Sequence, residues 1–128
     1  MEKKLQDLLL LGSRPGMERI EALLEIMDNP HRALKSVHVA GTNGKGSTCW
    51  IIASILHKAG YRVGSFLSPH ISTYRERIRI NGEYISPKDM NDCLDLVLAA
   101  AERLVASGGE HPTEFEVLTA LAFRYFKD

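Results

Sequence analysis

A glycine-rich stretch at residues 40–48 (AGTNGKGST) most constrains how this chain folds, because it lies between two apolar segments. Residues 36–40 are short and rich in β-branched side chains, which is typical of a buried strand. Residues 46–59 are apolar on nearly every side, as in a helix packed on a sheet. Residues 61–67 then predict a second strand. Strand, loop, helix and strand in this order predict a βαβ unit with two parallel strands and a right-handed crossover.

Helical periodicity surrounds this unit. Residues 3–11 and 17–27 predict two amphipathic helices, and two more are predicted to start at Pro87 and at Thr113. Residues 77–85 (RIRINGEYI) predict a β-hairpin, since their Asn-Gly pair suits a turn with positive φ at both positions. The fold class is therefore α/β, with a parallel sheet flanked by helices and a small hairpin after the second strand. The residues expected in the core include Trp50, Ile51, Ile52, Ile55 and Leu56 from the helix after the loop, and Phe115, Leu118, Leu121, Ala122, Tyr125 and Phe126 from the last helix.

With 128 residues, the chain has the usual length of one domain. Sixteen basic residues balance sixteen acidic ones, so we expect no nonspecific nucleic-acid partner and no anionic-membrane partner. No apolar run approaches the roughly 20 residues of a membrane-spanning helix, and the N-terminal segment lacks a signal-peptide cleavage site. Cys49 and Cys93 lie far apart without a Cys-x-x-Cys motif, which favours a reducing, cytoplasmic compartment over a disulfide or zinc framework.

The loop at residues 40–48 has the residue types that bind nucleotide phosphates. Its glycines allow a tight turn and close approach of an anion to backbone N–H groups, and the following helix adds a partial positive charge. Lys45 is predicted to contact the β- and γ-phosphates of ATP, and Ser47 offers a hydroxyl to Mg²⁺. The match to G-x-x-x-x-G-K-[ST] is imperfect, since Gly46 separates the lysine from the serine. The alternative is a glycine-rich turn that only connects a strand to a helix.

This loop resembles the ATP-binding loop of the Mur ligase superfamily. Gly46 resembles the form found in its folate branch, the folylpolyglutamate synthases and bifunctional dihydrofolate synthases. The resemblance covers essentially the whole chain and implies a partial P-loop (Mur-ligase-like) central domain. It implies Mg²⁺, and ATP as a co-substrate, and it also allows a monovalent cation. Lys45 is then the catalytic residue, and the nucleotide-binding residues are Gly41, Thr42, Asn43, Gly44, Lys45, Gly46, Ser47 and Thr48.

Ser68 begins a Ser-Pro-His segment directly after the second predicted strand. A hydroxyl at that strand end would face the phosphate loop. In the folate enzymes the corresponding serine is a magnesium ligand, so the resemblance implies Ser47 and Ser68 as metal ligands. Without the loop, Ser-Pro would indicate only a turn. His70 is expected to be a partly exposed histidine with a local hydrogen bond.

Thr113-Glu114-Phe115-Glu116 resembles the motif that the same family carries at the pterin end of its folate pocket. There an aromatic ring can stack on the pterin, and a carboxylate can accept from its N–H groups. The same residues also predict a helix-capping box between Thr113 and Glu116, which accounts for them without a ligand. Both interpretations can hold together.

Arg14-Pro15-Gly16-Met17 aligns with a family segment that closes over dihydropteroate. Gly16, Glu18 and Arg19 match that segment, whereas Arg14 and Pro15 depart from its commonest form. The alternative is a turn followed by an amphipathic helix. The resemblance therefore implies folate-binding or dihydropteroate-binding roles for Arg14, Pro15, Gly16, Met17, Thr113, Glu114, Phe115 and Glu116.

Arg75, Arg77 and Arg79 place three cations in a segment that also resembles the family pattern. They are candidates to steer ATP or a folate carboxylate. The alternative is a solvated hairpin face on which they pair with Glu76 and Glu83.

The resemblance implies an ATP-dependent amide ligase that adds L-glutamate to a folate or dihydropteroate carboxylate through an acyl phosphate. The family continues past the matched region with a further strand, a second metal site and a C-terminal glutamate-binding domain. Residues 1–128 are thus interpreted as the N-terminal part of the ATP-binding domain, inactive or weakly nucleotide-binding alone, from a monomeric parent. One alternative is a stand-alone P-loop ATP-binding or ATPase module, which the lack of an apolar strand ending in Asp disfavours. Another is a different Mur-type amino-acid ligase, which Gly46, Ser-Pro-His and Thr-Glu-Phe-Glu disfavour.

Overall fold

The computed structural model describes residues 2–9, 16–40, 44–68 and 72–128. Contacts divide the chain into two compact units. The helical unit combines Met1–Leu34 with Lys88–Asp128, and the hairpin unit is the intervening Lys35–Pro87. The helices are α1 (Glu2–Leu8), α2 (Glu18–Ile26), α3 (Lys45–Lys58), α4 (Pro87–Ala106) and α5 (Glu114–Lys127), and the strands are β1 (Gly64–Phe66), β2 (Ile78–Ile80) and β3 (Glu83–Tyr84).

The core of the helical unit is built around α5, which contacts α1, α2 and a 3₁₀ turn at Pro30–Ala33. The apolar residues of α5 recur at helical spacing, and Thr113 caps its start. α2 ends at Ile26, because Asp28 and Asn29 adopt positive φ angles of 69° and 50° and a proline follows. The fully buried side chains of this unit include Leu5, Leu23, Leu94, Val97, Leu118 and Leu121.

The predicted helices of this unit are present, and α4 begins at Pro87 as predicted. In α5, Leu118, Leu121 and Ala122 are buried as predicted. The prediction that Phe115 points inward is wrong, because its side chain is 57% exposed. The buried side of this first turn is occupied by Glu114 and Glu116, which leaves the ring outward. Among the described residues, no helix combines the length and apolarity needed to cross a membrane.

The hairpin unit contains a three-stranded antiparallel sheet in the order β1-β2-β3, and α3 contacts β1. In the register of this sheet, Arg79 lies opposite Ser65 on one side and Tyr84 on the other. The predicted hairpin turn is confirmed, since Asn81 and Gly82 have φ angles of 52° and 82°. Among the described residues of the hairpin unit, the buried hydrophobic side chains are Tyr74, Ile78 and Ile85.

The strand predicted at residues 36–40 is not formed in the described structure. Residues 34–40 have no regular secondary structure, and the side chain of Val37 is 65% exposed. β1 is shorter than the predicted strand at residues 61–67, and it pairs antiparallel with β2. A β-branched segment becomes a strand only where a neighbour satisfies its N–H and C=O groups. The described part of the chain therefore contains no pair of parallel strands.

The prediction that Trp50, Ile51 and Ile55 lie in the core is wrong for this structure. Trp50, Ile51 and Ile55 are 52%, 58% and 62% exposed, and Ile52 and Leu56 are half-buried. A helix that is apolar nearly all round needs partners on more than one side. Among the described residues, the hairpin unit offers α3 one small antiparallel sheet instead of the predicted parallel one.

Candidate functional site

α3 begins at the predicted phosphate loop. Gly44 precedes the helix as its N-cap with a φ angle of 76°, a left-handed conformation that favours glycine. The Thr48 backbone N–H donates to the Gly44 carbonyl at 2.9 Å, so the first helical turn closes on this glycine. Gly41, Thr42 and Asn43 lie outside the described residues. At Gly44 the backbone thus has the positive φ that a glycine allows, and the course of the loop before it stays a prediction.

The first turn of α3 presents its polar groups to solvent. Lys45, Gly46, Ser47 and Thr48 are all exposed. Glycine at the N-cap has no side chain to accept from the first backbone amides, and no side-chain cap is present at this end. The helix dipole and the Lys45 ammonium place positive charge at the same point. This end of α3 can therefore receive a phosphate group.

Ser68 lies just past the end of β1 and is exposed, while Pro69 and His70 lie outside the described residues. In the next described segment, which begins at Ser72, Glu76 Oε1 accepts from the backbone N–H groups of Ser72 and Thr73 at 2.8 and 2.9 Å. It also accepts from Ser72 Oγ at 2.6 Å. Thr73 and Glu76 form a capping box at the start of a 3₁₀ turn. Glu76 thus organises the segment that follows Ser68. A Thr-x-x-Glu pattern is the sequence signal that could have predicted this cap.

The predicted capping box at the start of α5 is confirmed. The Glu116 N–H donates to Thr113 Oγ1 at 3.3 Å, and the Thr113 N–H donates to Glu116 Oε1 at 2.9 Å. Glu114 and Glu116 are buried, while the Phe115 ring between them is exposed. This turn therefore presents one aromatic ring beside two carboxylate residues, a combination that can stack on a flat heterocycle.

Arg19 joins the other predicted folate segment to this turn. Its Nε donates to Glu116 Oε1 at 3.1 Å, and its Nη1 lies 3.6 Å from Glu110 Oε2. The Arg19 and Glu116 side chains are only 12% and 10% exposed. No periodicity or spacing indicates this pair, because its members are 97 positions apart in the chain. The structure brings the region immediately after Met17 and the region 113–116 together.

Of the segment 14–17, Gly16 and Met17 are described, whereas Arg14 and Pro15 lie outside the described residues. Gly16 has a φ angle of 106°, a conformation that strains any residue with a Cβ atom. Met17 is exposed and directly precedes α2. Most of the turn predicted before this helix therefore lies outside the described residues.

Arg75, Arg77 and Arg79 make contacts that neither sequence interpretation included. Arg79 Nε donates to the Glu76 carbonyl at 3.1 Å. The guanidinium groups act here as packing and hydrogen-bonding groups. Their contacts are Arg75 Nε with the Ile85 carbonyl (2.7 Å), Arg77 over the Tyr74 ring (5.1 Å to the centroid), and Arg79 over the rings of Tyr84 (4.7 Å) and Trp50 (5.7 Å).

Within the described ranges, no group of three or more His, Cys, Asp or Glu residues is placed to hold a metal ion. Cys49 and Cys93 are free thiols and half-buried. Burial raises the pKa of the Cys93 thiol, an effect that Arg124 opposes and that Asp128, Asp89 and Asp92 reinforce. A thiol kept protonated is a poor nucleophile, which agrees with the structural role predicted for Cys93.

No family model matches the chain, but individual proteins match it over almost its whole length. The dihydrofolate synthase/folylpolyglutamate synthase of Bacillus subtilis is 42% identical over 120 residues. This match covers 94% of the present chain and 28% of the Bacillus protein. The chain therefore spans less than a third of the length of this relative.

Solved structures show the same relationship. The folylpolyglutamate synthase from Thermotoga maritima is 44% identical, with a TM-score of 0.87 over 97% of this chain and 30% of that chain. A folylpolyglutamate synthase complex with AMPPCP and folate is 36% identical, with a TM-score of 0.86 over 98% of this chain and 32% of that chain. One similar structure thus contains both a nucleotide analogue and a folate.

Proposed function

We propose that the protein carrying this chain is an ATP-dependent ligase that adds L-glutamate to a folate or to dihydropteroate. The proposal is supported by the homology of nearly the whole chain to folylpolyglutamate and dihydrofolate synthases. The observation that carries the proposal within this chain is the start of α3. There a left-handed glycine, exposed backbone amides and an exposed lysine stand where the family resemblance predicts nucleotide binding.

Nucleotide binding is assigned to the whole loop, Gly41 to Thr48. The described residues Gly44, Lys45 and Ser47 support this assignment, because they combine a tight turn, a cation and a hydroxyl at one helix start. A similar structure that contains AMPPCP supports ATP as the co-substrate.

The donor chemistry of two exposed serines fits Mg²⁺. Ser47 lies in the first turn of α3, and Ser68 lies just past β1. Mg²⁺ prefers oxygen ligands and usually keeps several waters, so it does not need the cluster of acidic residues that the described part of the chain lacks. When bound, the ion would stabilise the charge of the triphosphate. We assign Ser47 and Ser68 as its ligands.

The proposed reaction consists of two displacements. A carboxylate oxygen of the folate or dihydropteroate attacks the γ-phosphorus of ATP, and the bond to the β-phosphate oxygen breaks to give an acyl phosphate and ADP. The glutamate amine then attacks the acyl carbon, so that phosphate leaves and the nitrogen loses a proton. Lys45 contributes a fixed positive charge against the charge that develops on the transferred group. The backbone amides at the start of α3 hold that group in position.

The folate or dihydropteroate is assigned to the helical unit. Phe115 supplies an exposed ring, and the capping box keeps that ring at a defined position on the first turn of α5. Arg19 connects this turn to the segment that ends in Gly16 and Met17. Arg14 and Pro15 complete this assignment through the family resemblance alone.

The exposed apolar residues of α3 support a larger ATP-binding domain in the whole protein. Trp50, Ile51 and Ile55 make a surface that soluble proteins normally cover. We propose that further strands of a parallel sheet cover this surface. Residues 1–128 are then the N-terminal part of the ATP-binding domain. The glutamate-binding domain lies elsewhere in the same protein, which we propose to be a cytoplasmic monomer. An open reading frame continuing after Asp128 into a further strand is expected, and a stop codon there would contradict the proposal.

The activity is tested by phosphate release from the full-length protein, with dihydropteroate and tetrahydrofolate offered separately. Release is expected to require ATP, glutamate and at least one of the two substrates. Omission of glutamate is the control, since it removes the acceptor and leaves nucleotide binding intact. ATP hydrolysis that needs neither glutamate nor a folate would favour an ATPase module. No turnover with either substrate would refute the folate assignment.

A further inference from the structure

One carboxylate oxygen serves two purposes at the start of α5. Glu116 Oε1 accepts from the Thr113 N–H at 2.9 Å, which caps the helix, and from Arg19 Nε at 3.1 Å, which ties the helix to α2. Both side chains of the ion pair are almost shielded from water. The cap and the tertiary contact are therefore not independent.

Shielding distinguishes this pair from the exposed ion pairs described in the helical unit. The exposed pair Lys4–Asp95 has side chains 58% and 67% accessible, so water can replace either partner. Removal of Arg19 would leave a nearly buried carboxylate without the cation that its Oε1 now faces. The Glu116 carboxylate would then turn toward water, and this movement alters the cap at Thr113.

Phe115 lies within the turn that this cap defines. Its ring is 57% exposed, while its neighbours Glu114 and Glu116 are buried, so the ring is presented outward from a fixed backbone. Moving the Glu116 carboxylate would move the first turn and, with it, the direction of the ring. Displacements of this kind, remote from the chemistry, can cost large factors in rate or affinity.

We propose that Arg19 is a positioning residue for the folate substrate: acting through Glu116, it fixes the turn that presents Phe115. Arg19 touches Glu116 and Glu110 and is not assigned a contact with substrate. This inference rests on the proposed function, because it presupposes that the Phe115 ring meets the pterin.

The test compares the full-length wild-type enzyme with Arg19→Gln, and uses Lys4→Gln as a matched control that breaks an exposed ion pair of the same unit. For each protein, KM is measured for the folate or dihydropteroate, for ATP and for glutamate, well below the unfolding temperature. Arg19→Gln is expected to raise KM for the folate substrate about tenfold. KM for ATP and kcat at saturation should change less than about threefold, as should every constant of Lys4→Gln.

A purely stabilising role for Arg19 would lower the unfolding temperature and leave the KM for the folate substrate at its wild-type value, and that result would overturn the inference. So would an equal rise in all three KM values. If Arg19→Gln does not fold, Arg19→Lys takes its place, because it keeps the charge but lacks the Nε–H donor. Its KM for the folate substrate should rise about threefold, and an unchanged value would refute the positioning role. If the wild type adds no glutamate to either substrate, the proposed function fails and this inference falls with it.

Discussion

Arg19 Nε and Glu116 Oε1 lie 3.1 Å apart and join two chain segments that are separated by 97 positions. Both segments belong to the folate-binding region that we propose. Because the contact is a nearly buried ion pair, the polypeptide itself holds the two segments together. The same carboxylate caps α5, so the conformation of the turn around Phe115 depends on a residue of α2.

Replacement of Phe115 with alanine tests whether the exposed ring binds substrate. Phe115→Ala should change the free energy of unfolding by less than about 0.5 kcal/mol, since the ring contributes little to the core. It should raise KM for the folate substrate about tenfold through loss of stacking. Denaturant unfolding and steady-state kinetics measure the two effects.

Leu118→Ala, in the same helix, is the matched control for the Phe115 experiment. Leu118 is fully buried, so its truncation should destabilise the protein by about 2–5 kcal/mol. A Phe115 variant that loses as much stability as the Leu118 variant would show a structural role for the ring. A Phe115 variant with normal stability and normal KM would refute pterin contact.

Replacement of Arg79 distinguishes packing from attraction of anionic ligands. Arg79 lies over two aromatic rings and donates to the Glu76 carbonyl, so Arg79→Ala should reduce the free energy of unfolding by about 1–2 kcal/mol. KM for ATP should match the wild type at both low and high salt. Arg103→Ala, which removes an exposed arginine from the end of α4, is the charge-matched control. A salt-dependent rise in KM for Arg79→Ala alone would support steering instead.

Local signals predicted the hairpin turn at Asn81-Gly82, the capping box at Thr113 and the start of α4 at Pro87, because each depends on residues within a few positions of one another. The strand predicted at residues 36–40 depends on a neighbouring strand, and none is formed beside it within the described residues. The exposure of Trp50 also depends on tertiary structure. Helical periodicity indicates that a helix has an apolar face, but it does not indicate which element packs against that face.

In the candidate site, too, features that depend on neighbouring residues could be predicted from the sequence, whereas features that depend on tertiary packing could not. Gly44 and its left-handed turn follow from the glycine pattern before a helix. The outward position of Phe115 does not follow from periodicity, which placed the ring in the core, because the polar capping residues occupy the buried side of that turn. The Arg19–Glu116 pair depends on tertiary packing alone, so a single sequence contains no local signal for it.

The Cys93 thiol gives a prediction about pH. Burial raises its pKa, so at neutral pH it should react with iodoacetamide more slowly in the native protein than in urea. The native state holds the thiol proton more tightly than the unfolded state, so this group's contribution to stability should fall as the pH rises through the ordinary thiol range. Peptide mass spectrometry after timed alkylation measures the rate at Cys93. A native rate equal to the denatured rate would contradict the prediction, and Cys93→Ser is the control for the pH dependence of stability.

The most direct test of the account is ATP-dependent and glutamate-dependent phosphate release by full-length Lys45→Ala. Lys58→Ala is the matched control, because it removes an exposed lysine from the opposite end of the same helix. Both variants should unfold at the wild-type temperature, since both side chains are exposed. Lys45→Ala is expected to reduce turnover by at least about a hundredfold, while Lys58→Ala retains wild-type turnover. Wild-type turnover by a correctly folded Lys45→Ala enzyme would contradict the assignment of this loop to ATP.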